Sequence, residues 1–298
     1  MTTPFFKPLP DYRLTFKDKV LDLSTPKVMG ILNVTPDSFS DGGRFNSVDK
    51  AVAHAKQLVL NGADIIDIGG ESTRPNAVPV LLDDELARVV PVVRAVRQEL
   101  GDKLWLSVDT SSPAVMQQAI MAGADMINDV RALSRDGACQ MASDLACPVV
   151  LMHSRGEPST MGDLAVYDDV VADVVRELSV SIDRAAKAGV KSENIVIDVG
   201  MGFAKHYAEH KYLMNELFAV GEMLNYPMLF GVSRKRFLGE LLGQMPFANL
   251  QNHTPSDRDG LGVLAHFVAV LQGASIVRVH DVKMMSQAVG FWRLMAQK

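Results

Sequence analysis

The run Val28-Met29-Gly30-Ile31-Leu32-Asn33-Val34-Thr35-Pro36-Asp37-Ser38-Phe39-Ser40-Asp41-Gly42-Gly43 passes from an unbroken apolar stretch into a long polar loop that ends in glycines. Val28 to Leu32 shows no alternation, the pattern of a parallel strand covered on both faces, and Asn33 is the first polar side chain at its C-terminal end. Open and closed α/β sheets bind their ligands at that end of the strands. The polar loop is therefore a candidate part of an active site.

Outward from this run the same unit repeats. Apolar strands are expected at 28–33, 64–69, 104–109, 125–129, 149–153, 195–199, 228–233 and 275–280. Amphipathic helical segments lie between them, among them 51–60, 85–100, 114–122, 170–188 and 212–224. Gly62-Ala63-Asp64, Gly123-Ala124-Asp125 and Gly273-Ala274-Ser275 mark helix ends that feed the next strand, where a glycine cap is expected. Eight βα units in one chain predict a single α/β domain folded as a TIM (β/α)8 barrel. A doubly wound sheet would alternate in the same way but with fewer strands and a glycine-rich first turn, and the first turn here has no G-x-G-x-x-G. A short hairpin is expected within 12–23, so that residues 1–27 cap a barrel unit of 28–298.

Composition limits the function. The chain has 298 residues, 48% hydrophobic and 22% charged, enough to bury a large core without disulfides or a structural metal. A net charge of -5 and a pI near 5.8, with no Lys or Arg stripe along one helix, argue against a nucleic-acid partner. No apolar stretch is long enough to span a bilayer, and Met1 to Asp11 does not read as a secretory leader, so no membrane partner and a cytoplasmic place are expected. Cys139 and Cys147 lack the second pair a zinc site needs and read as packing residues.

Every expected strand ends in polar groups: Asn33, Asp67, Asp109, Asn128 with Asp129, His153, Asp198, Ser233-Arg234-Lys235, then Arg278 and His280. One such residue is readily a helix cap, but a complete ring at the ligand-binding face is harder to explain that way. Closing the barrel brings strand eight beside strand one, which groups Lys235, Arg278, His280 and Asn33 into a cationic corner suited to phosphate, with Asn33 able to ligate magnesium. Arg278 and His280, two apart, are expected on one side of their strand. Asp67, Asp109, Asn128 and Asp198 form an acceptor-rich side that suits the N–H groups of an amino-pyrimidine edge, or a divalent metal cluster. The glycine-punctuated loops 35–46 and 69–76 are long enough to act as lids. No nucleophile for covalent catalysis stands out.

These motifs resemble, in order, those of bacterial dihydropteroate synthases from about Val28 through Val282. The first is the opening run. Asp67-Ile68-Gly69-Gly70-Glu71-Ser72-Thr73-Arg74-Pro75, Ser107-Val108-Asp109-Thr110, Ile127-Asn128-Asp129, Leu151-Met152-His153, Ser233-Arg234-Lys235 and Arg278-Val279-His280-Asp281-Val282 follow. The resemblance implies a TIM barrel that joins 6-hydroxymethyl-7,8-dihydropterin diphosphate to 4-aminobenzoate, releasing diphosphate and making 7,8-dihydropteroate. It implies pterin contacts from Asp109, Asn128, Asp198 and Lys235, with Met152 and Phe203 lining the slot. Asn33, Thr73, Arg74, Arg278 and His280 would hold the diphosphate, with Mg2+ on Asn33. Phe39, Thr73, Arg74, Pro75 and Ser233 would form the aminobenzoate side, where sulfonamides compete in this family. Lys235, Arg278 and His280 would be the catalytic group. Two departures stand in Asp198-Val199-Gly200-Met201-Gly202-Phe203-Ala204-Lys205, with Val199 where the family commonly has Pro and Ala204 where it commonly has Gly. Residues 243–257 match no motif of use.

The chemistry agrees with the resemblance. Diphosphate loss from a pterin methylene leaves a cation delocalised into an electron-rich ring, so charge stabilisation of the leaving group and close placement of the arylamine suffice without a strong base. Two alternatives remain open at this point: a pterin-binding methyltransferase, which needs no diphosphate site, and a catalytically inactive pterin-binding protein. Related enzymes are usually homodimers, and apolar residues in the last helices, such as Leu264, Phe267, Val268, Met284, Met285, Val289, Phe291 and Leu294, are expected in core or interface.

Overall fold

Ten strands account for the sheets of the computed structural model, which describes residues 6–35, 44–72, 77, 79–246 and 253–296, the side chains of 44–47 excepted. β1 (Arg13–Phe16) and β2 (Lys19–Asp22) form an antiparallel hairpin. β3 (Lys27–Asn33), β4 (Ile65–Gly69), β5 (Trp105–Asp109), β6 (Met126–Asp129), β7 (Val149–Met152), β8 (Ile195–Asp198), β9 (Met228–Phe230) and β10 (Ala274–Val279) close into a parallel barrel, with β10 pairing β3. Each begins within two residues of its expected start. β4, β6, β7, β8 and β9 are buried along their whole length, which is why their sequences run apolar without alternation.

Helices α1 (Arg44–Leu60), α2 (Leu82–Leu100), α3 (Pro113–Ala122), α4 (Ala138–Leu145), α5 (Val170–Lys187), α6 (Tyr207–Asn215), α7 (Leu217–Leu224), α8 (Arg236–Gly243), α9 (Asp259–Leu271) and α10 (Val282–Ala296) surround the barrel. In α5 the buried positions Val170, Val174, Leu178, Ile182 and Ala185 recur every three or four residues, one face of a helix turned to the barrel. The Asp169 carboxylate accepts from Val171 N at 2.9 Å and Ala172 N at 3.1 Å and so caps its start. α3 ends at Gly123, whose φ of 116° suits glycine and turns the chain into β6.

One expected helix is two. The 212–224 segment belongs to α6, which begins earlier at Tyr207, and to α7, with Glu216 at the break. The reason lies elsewhere in the chain. Gln272, at the end of α9, donates to Met214 O at 2.8 Å and accepts from Phe218 N at 3.4 Å, satisfying backbone groups that the break leaves free.

The hairpin closes the N-terminal end of the barrel. Leu14 and Leu23 are fully buried, and burial of such side chains contributes roughly 1.5–3 kcal/mol each. Thr15 exchanges two hydrogen bonds of 2.8 Å with the Asn194 side chain just before β8. Lys19 reaches Leu104 O at 2.8 Å and Asp125 Oδ2 at 2.6 Å, at the starts of β5 and β6. With that end sealed, the opposite end is the open one. Cys147 is buried, which pushes its thiol up to about 12, and Cys139 donates its S–H to Leu133 O, so both are packing residues as expected. Among the described residues no helix is long and apolar enough to cross a membrane.

Candidate active site

The floor of the open end is Asp67. It lies two residues inside β4, level with Ile31 of β3, and is fully buried. Its Oδ2 accepts from Arg278 Nε at 2.6 Å and from Asn128 Nδ2 at 3.0 Å, while its Oδ1 has no partner. Arg278 continues across the mouth and donates to Asp109 Oδ2 at 2.9 Å. One guanidinium thus joins two carboxylates from neighbouring strands. Burial works against the Arg278 charge, but Asp67 and Asp109 more than restore it. Burial pushes Asp109 up to about 7, with Arg278 drawing it back.

This corrects the expected separation of a cationic corner from an acceptor side. Arg278 pairs in register with Met29, deep in the barrel, where an uncompensated guanidinium would carry a large desolvation cost. The two sides therefore interlock. β10 stops at Val279, one residue before His280. Arg278 lies against Gly231, and His280 meets Ser233 two residues on: its Nδ1 lies 2.9 Å from Ser233 Oγ, and its backbone N donates to the same oxygen at 3.1 Å.

The next rung contains Asn33, Gly69, Asp109 and Asn128, each in register with the one before. Gly69 keeps this rung open, since a Cβ there would stand 3.5 Å from Asp109 Cβ and 3.7 Å from Asn33 Oδ1. Asn33 offers one neutral oxygen facing that space. Among the described residues no group of three or more His, Cys, Asp or Glu is placed to hold a metal, so the metal-cluster alternative for the acidic residues has no support in the geometry.

Beside the polar rung is a small apolar cluster apart from the main core: Val130, Met152, Met161, Phe203 and Ala204. A cleft lined by Val130, Arg131, Ser154, Gly156, Pro158, Met161 and Phe203 opens along it. Lys235 Nζ stands 4.4 Å over the Phe203 ring and donates to Met201 O. Burial pushes Lys235 down to about 8, opposed by Asp198. Asp198 is raised by burial and accepts from Gly200 N at 2.8 Å. Lys235 over Phe203 thus brings a charged edge against an apolar face, the pairing that a flat heterocycle needs.

Several ring residues are structural. Asp129 accepts from Ser111 Oγ and from the backbone N of Arg131 and Leu133 at 2.8 Å each, which fixes the turn after β6. Arg234 pairs with Asp259 at 2.7 Å, and His153 turns away to Glu177 at 3.0 Å. Phe39, Thr73, Arg74 and Pro75 lie outside the described residues. The base of the 69–76 loop is described, and it is anchored by Arg131, which binds Glu71 at 3.1 Å, Glu157 at 2.8 Å and Ser111 Oγ at 3.1 Å.

Sequence reasoning passed over Arg131, Lys205 and His210. Lys205 had a local signal, the one basic side chain closing a stretch of glycines and apolar residues. Arg131 had none, because its partners Glu71, Ser111 and Glu157 are contributed by distant segments, and His210 sits in a helix with nothing in the local pattern to mark its bond to Gly202 N.

The model of the family described as pterin binding enzyme matches residues 29–280. The dihydropteroate synthase of Escherichia coli (strain K12) is 46% identical over 269 residues, spanning 90% of this chain and 91% of that protein. A solved structure of Xanthomonas albilineans dihydropteroate synthase with 4-aminobenzoic acid is 44% identical, with a TM-score of 0.88 over 97% of this chain and 100% of that one. Another of the Xanthomonas albilineans enzyme, in complex with 7,8-dihydropteroate, is 43% identical with a TM-score of 0.83 over 96% and 99%.

Proposed function

This chain belongs to the pterin-binding enzyme family and carries the activity of a dihydropteroate synthase, and from that premise we propose how its own residues divide the work. The enzyme condenses 6-hydroxymethyl-7,8-dihydropterin diphosphate with 4-aminobenzoate to give 7,8-dihydropteroate and diphosphate. The observation that carries the residue-level reading is the interlocked Asp67–Arg278–Asp109 bridge beside the apolar cluster.

The pterin enters the slot edge-on. Asp109, Asn128 and Asp198 receive its N–H groups, Lys235 donates to its acceptor edge, and Met152 and Phe203 cover its faces. Reaction breaks the methylene C–O bond, with the electron pair leaving on diphosphate, and the cation spreads into the ring. The amine lone pair of 4-aminobenzoate then forms the C–N bond, and the proton it sheds passes to solvent. Arg278 and His280, with Thr73 and Arg74, oppose the charge that grows on the diphosphate. Asp67 keeps hold of Arg278 Nε, which leaves the outer nitrogens to turn between Asp109 and the leaving group. Ser233, Phe39, Thr73, Arg74 and Pro75 seat the aminobenzoate, and Ser233 is tied to the diphosphate side through His280.

Magnesium fits this mouth as a companion of the diphosphate. Mg2+ keeps several waters and takes few protein oxygens plus substrate phosphates, which suits the single Asn33 oxygen beside the space that Gly69 leaves. Bound there it supplies positive charge against the diphosphate. Residues 1–27 serve as the cap of the 28–298 barrel, and a homodimer forms through α9 and α10.

The reading is tested by diphosphate release from the pterin substrate with magnesium, with and without 4-aminobenzoate, and mass detection of product. Aminobenzoate-dependent release with dihydropteroate is expected. Pterin binding without condensation would overturn it.

A further inference from the structure

Behind the slot lies a lysine that the reaction above does not use. Lys205 is 8% exposed, and its Nζ is within 2.9 Å of His153 Nδ1, 3.1 Å of Gly200 O and 3.1 Å of Phe203 O. An ammonium has three N–H donors and no lone pair, so three converging acceptors match it fully, whereas a neutral amine would leave one acceptor facing its lone pair. The His153 ring suits this. Its Nε2 lies 3.0 Å from Glu177, so the proton sits on Nε2 and the Nδ1 lone pair faces Lys205.

The two carbonyls held by Lys205 bracket the 200–203 loop. No side chain can replace Gly200, whose Cβ would stand 1.8 Å from His153 O. Between the two ends, Met201 O takes Lys235, and Gly202 N donates to His210 Nε2 at 2.7 Å. The loop that carries Phe203 and anchors Lys235 therefore rests on side chains rather than on a sheet ladder.

We propose that Lys205 is a positioning residue for the pterin slot: as an ammonium it holds the 200–203 loop, and with it Phe203 and Lys235, and losing its proton loosens the loop and weakens pterin binding. The inference rests on the pterin reading of the slot. The groups facing Lys205 are Asp198 and Glu177, which favour its charge, and Lys235 and Arg155, which oppose it. His153 and His210 are held neutral by burial, at about 4 and about 3. Burial outweighs the acids and brings Lys205 down to about 7, so the proton is exchanged near neutrality.

The test is the KM for pterin diphosphate across about pH 7 to about pH 8.5, with dihydropteroate as product, in wild type, Lys205→Met and Lys205→Arg. Wild-type KM is expected to climb with pH as Lys205 loses its proton. Lys205→Met should raise KM by about 10- to 100-fold at the neutral end, as loss of charged hydrogen bonds does, with kcat little changed and a shallower climb. Lys205→Arg, charged throughout, should recover part of the affinity and also flatten the climb. Ionisation of Lys235 and of Asp109, the latter pushed up to about 7, is common to all three proteins, so the difference between wild type and the variants isolates Lys205. A KM profile in whichever variant folds that follows pH as steeply as that of wild type overturns the inference. Failure of wild type to make dihydropteroate instead overturns the reading of the slot.

Discussion

At the scale of single residues, Arg278 holds more than one role. Considered as a strand-end cation, it predicts that Arg278→Ala lowers turnover far more than it disturbs folding. The structure adds a measurable folding cost, because Arg278 also neutralises Asp67, fully buried, and Asp109 at the mouth. Removing one partner of a buried pair typically costs about 3–5 kcal/mol, of which part is recovered here when Asp109 takes up a proton. We therefore expect Arg278→Ala to lower the Tm by several degrees as well as to reduce kcat by at least about 100-fold. Calorimetry and steady-state rates on one preparation check both, and an unshifted Tm would show that the bridge is not holding the acids. Asp67 was visible in the sequence as a polar residue in an apolar strand, but its depth was not, since depth depends on barrel register rather than on local pattern.

At the scale of elements, the loop after β8 is a place where the chain departs from local preference. Gly200 and Gly202 have φ of 70° and 85°, and Ala204, where glycine is common in the family, has φ of 43°. A left-handed alanine costs roughly 1–2 kcal/mol, but its buried methyl contributes about 0.8 kcal/mol and glycine would lose a further 0.5–1 kcal/mol or so of chain entropy. These terms nearly cancel. Ala204→Gly should therefore leave stability within about 1 kcal/mol of wild type, whereas Ala204→Val, β-branched at positive φ, should lose at least about 2 kcal/mol. Urea unfolding of the two variants decides it, and a Val variant as stable as wild type would mean that the backbone relaxes. Strand positions were legible from apolar runs because parallel strands advertise burial on both faces. The break between α6 and α7 was not, because its cause is the side chain of Gln272 from another helix. The same holds in part for the 200–203 loop: Lys205 and His210 follow it closely in sequence, but Lys235, which reaches Met201 O, and His153, which faces Lys205, come from other strands' ends.

At the scale of the whole molecule, one end of the barrel is sealed by the hairpin, the other is the site, and the sides are helices whose outer faces meet water. α9 and α10 break that rule. After Asp259, α9 carries no acidic, Lys or Arg side chain, yet Leu264 is 62% exposed, and Leu294 on α10 is 72% exposed. Phe291 packs edge-on against Phe6 and lies 6.0 Å from Phe267, so the two helices present one continuous apolar surface rather than scattered residues. Large exposed apolar surfaces are uncommon on monomers, and a stable interface needs about 800 Å² from each partner, which two helices of this length can supply. The homodimer proposed above predicts sedimentation at twice the 32.5 kDa chain mass at micromolar concentration. Leu264→Glu would place a charge in the middle of the buried surface and should give a folded monomer, because Leu264 touches solvent in the single chain and not its core. A wild-type protein that sediments as a monomer would remove α9 and α10 from any self-association, and a dimer that persists in Leu264→Glu would move the interface to another face of the barrel.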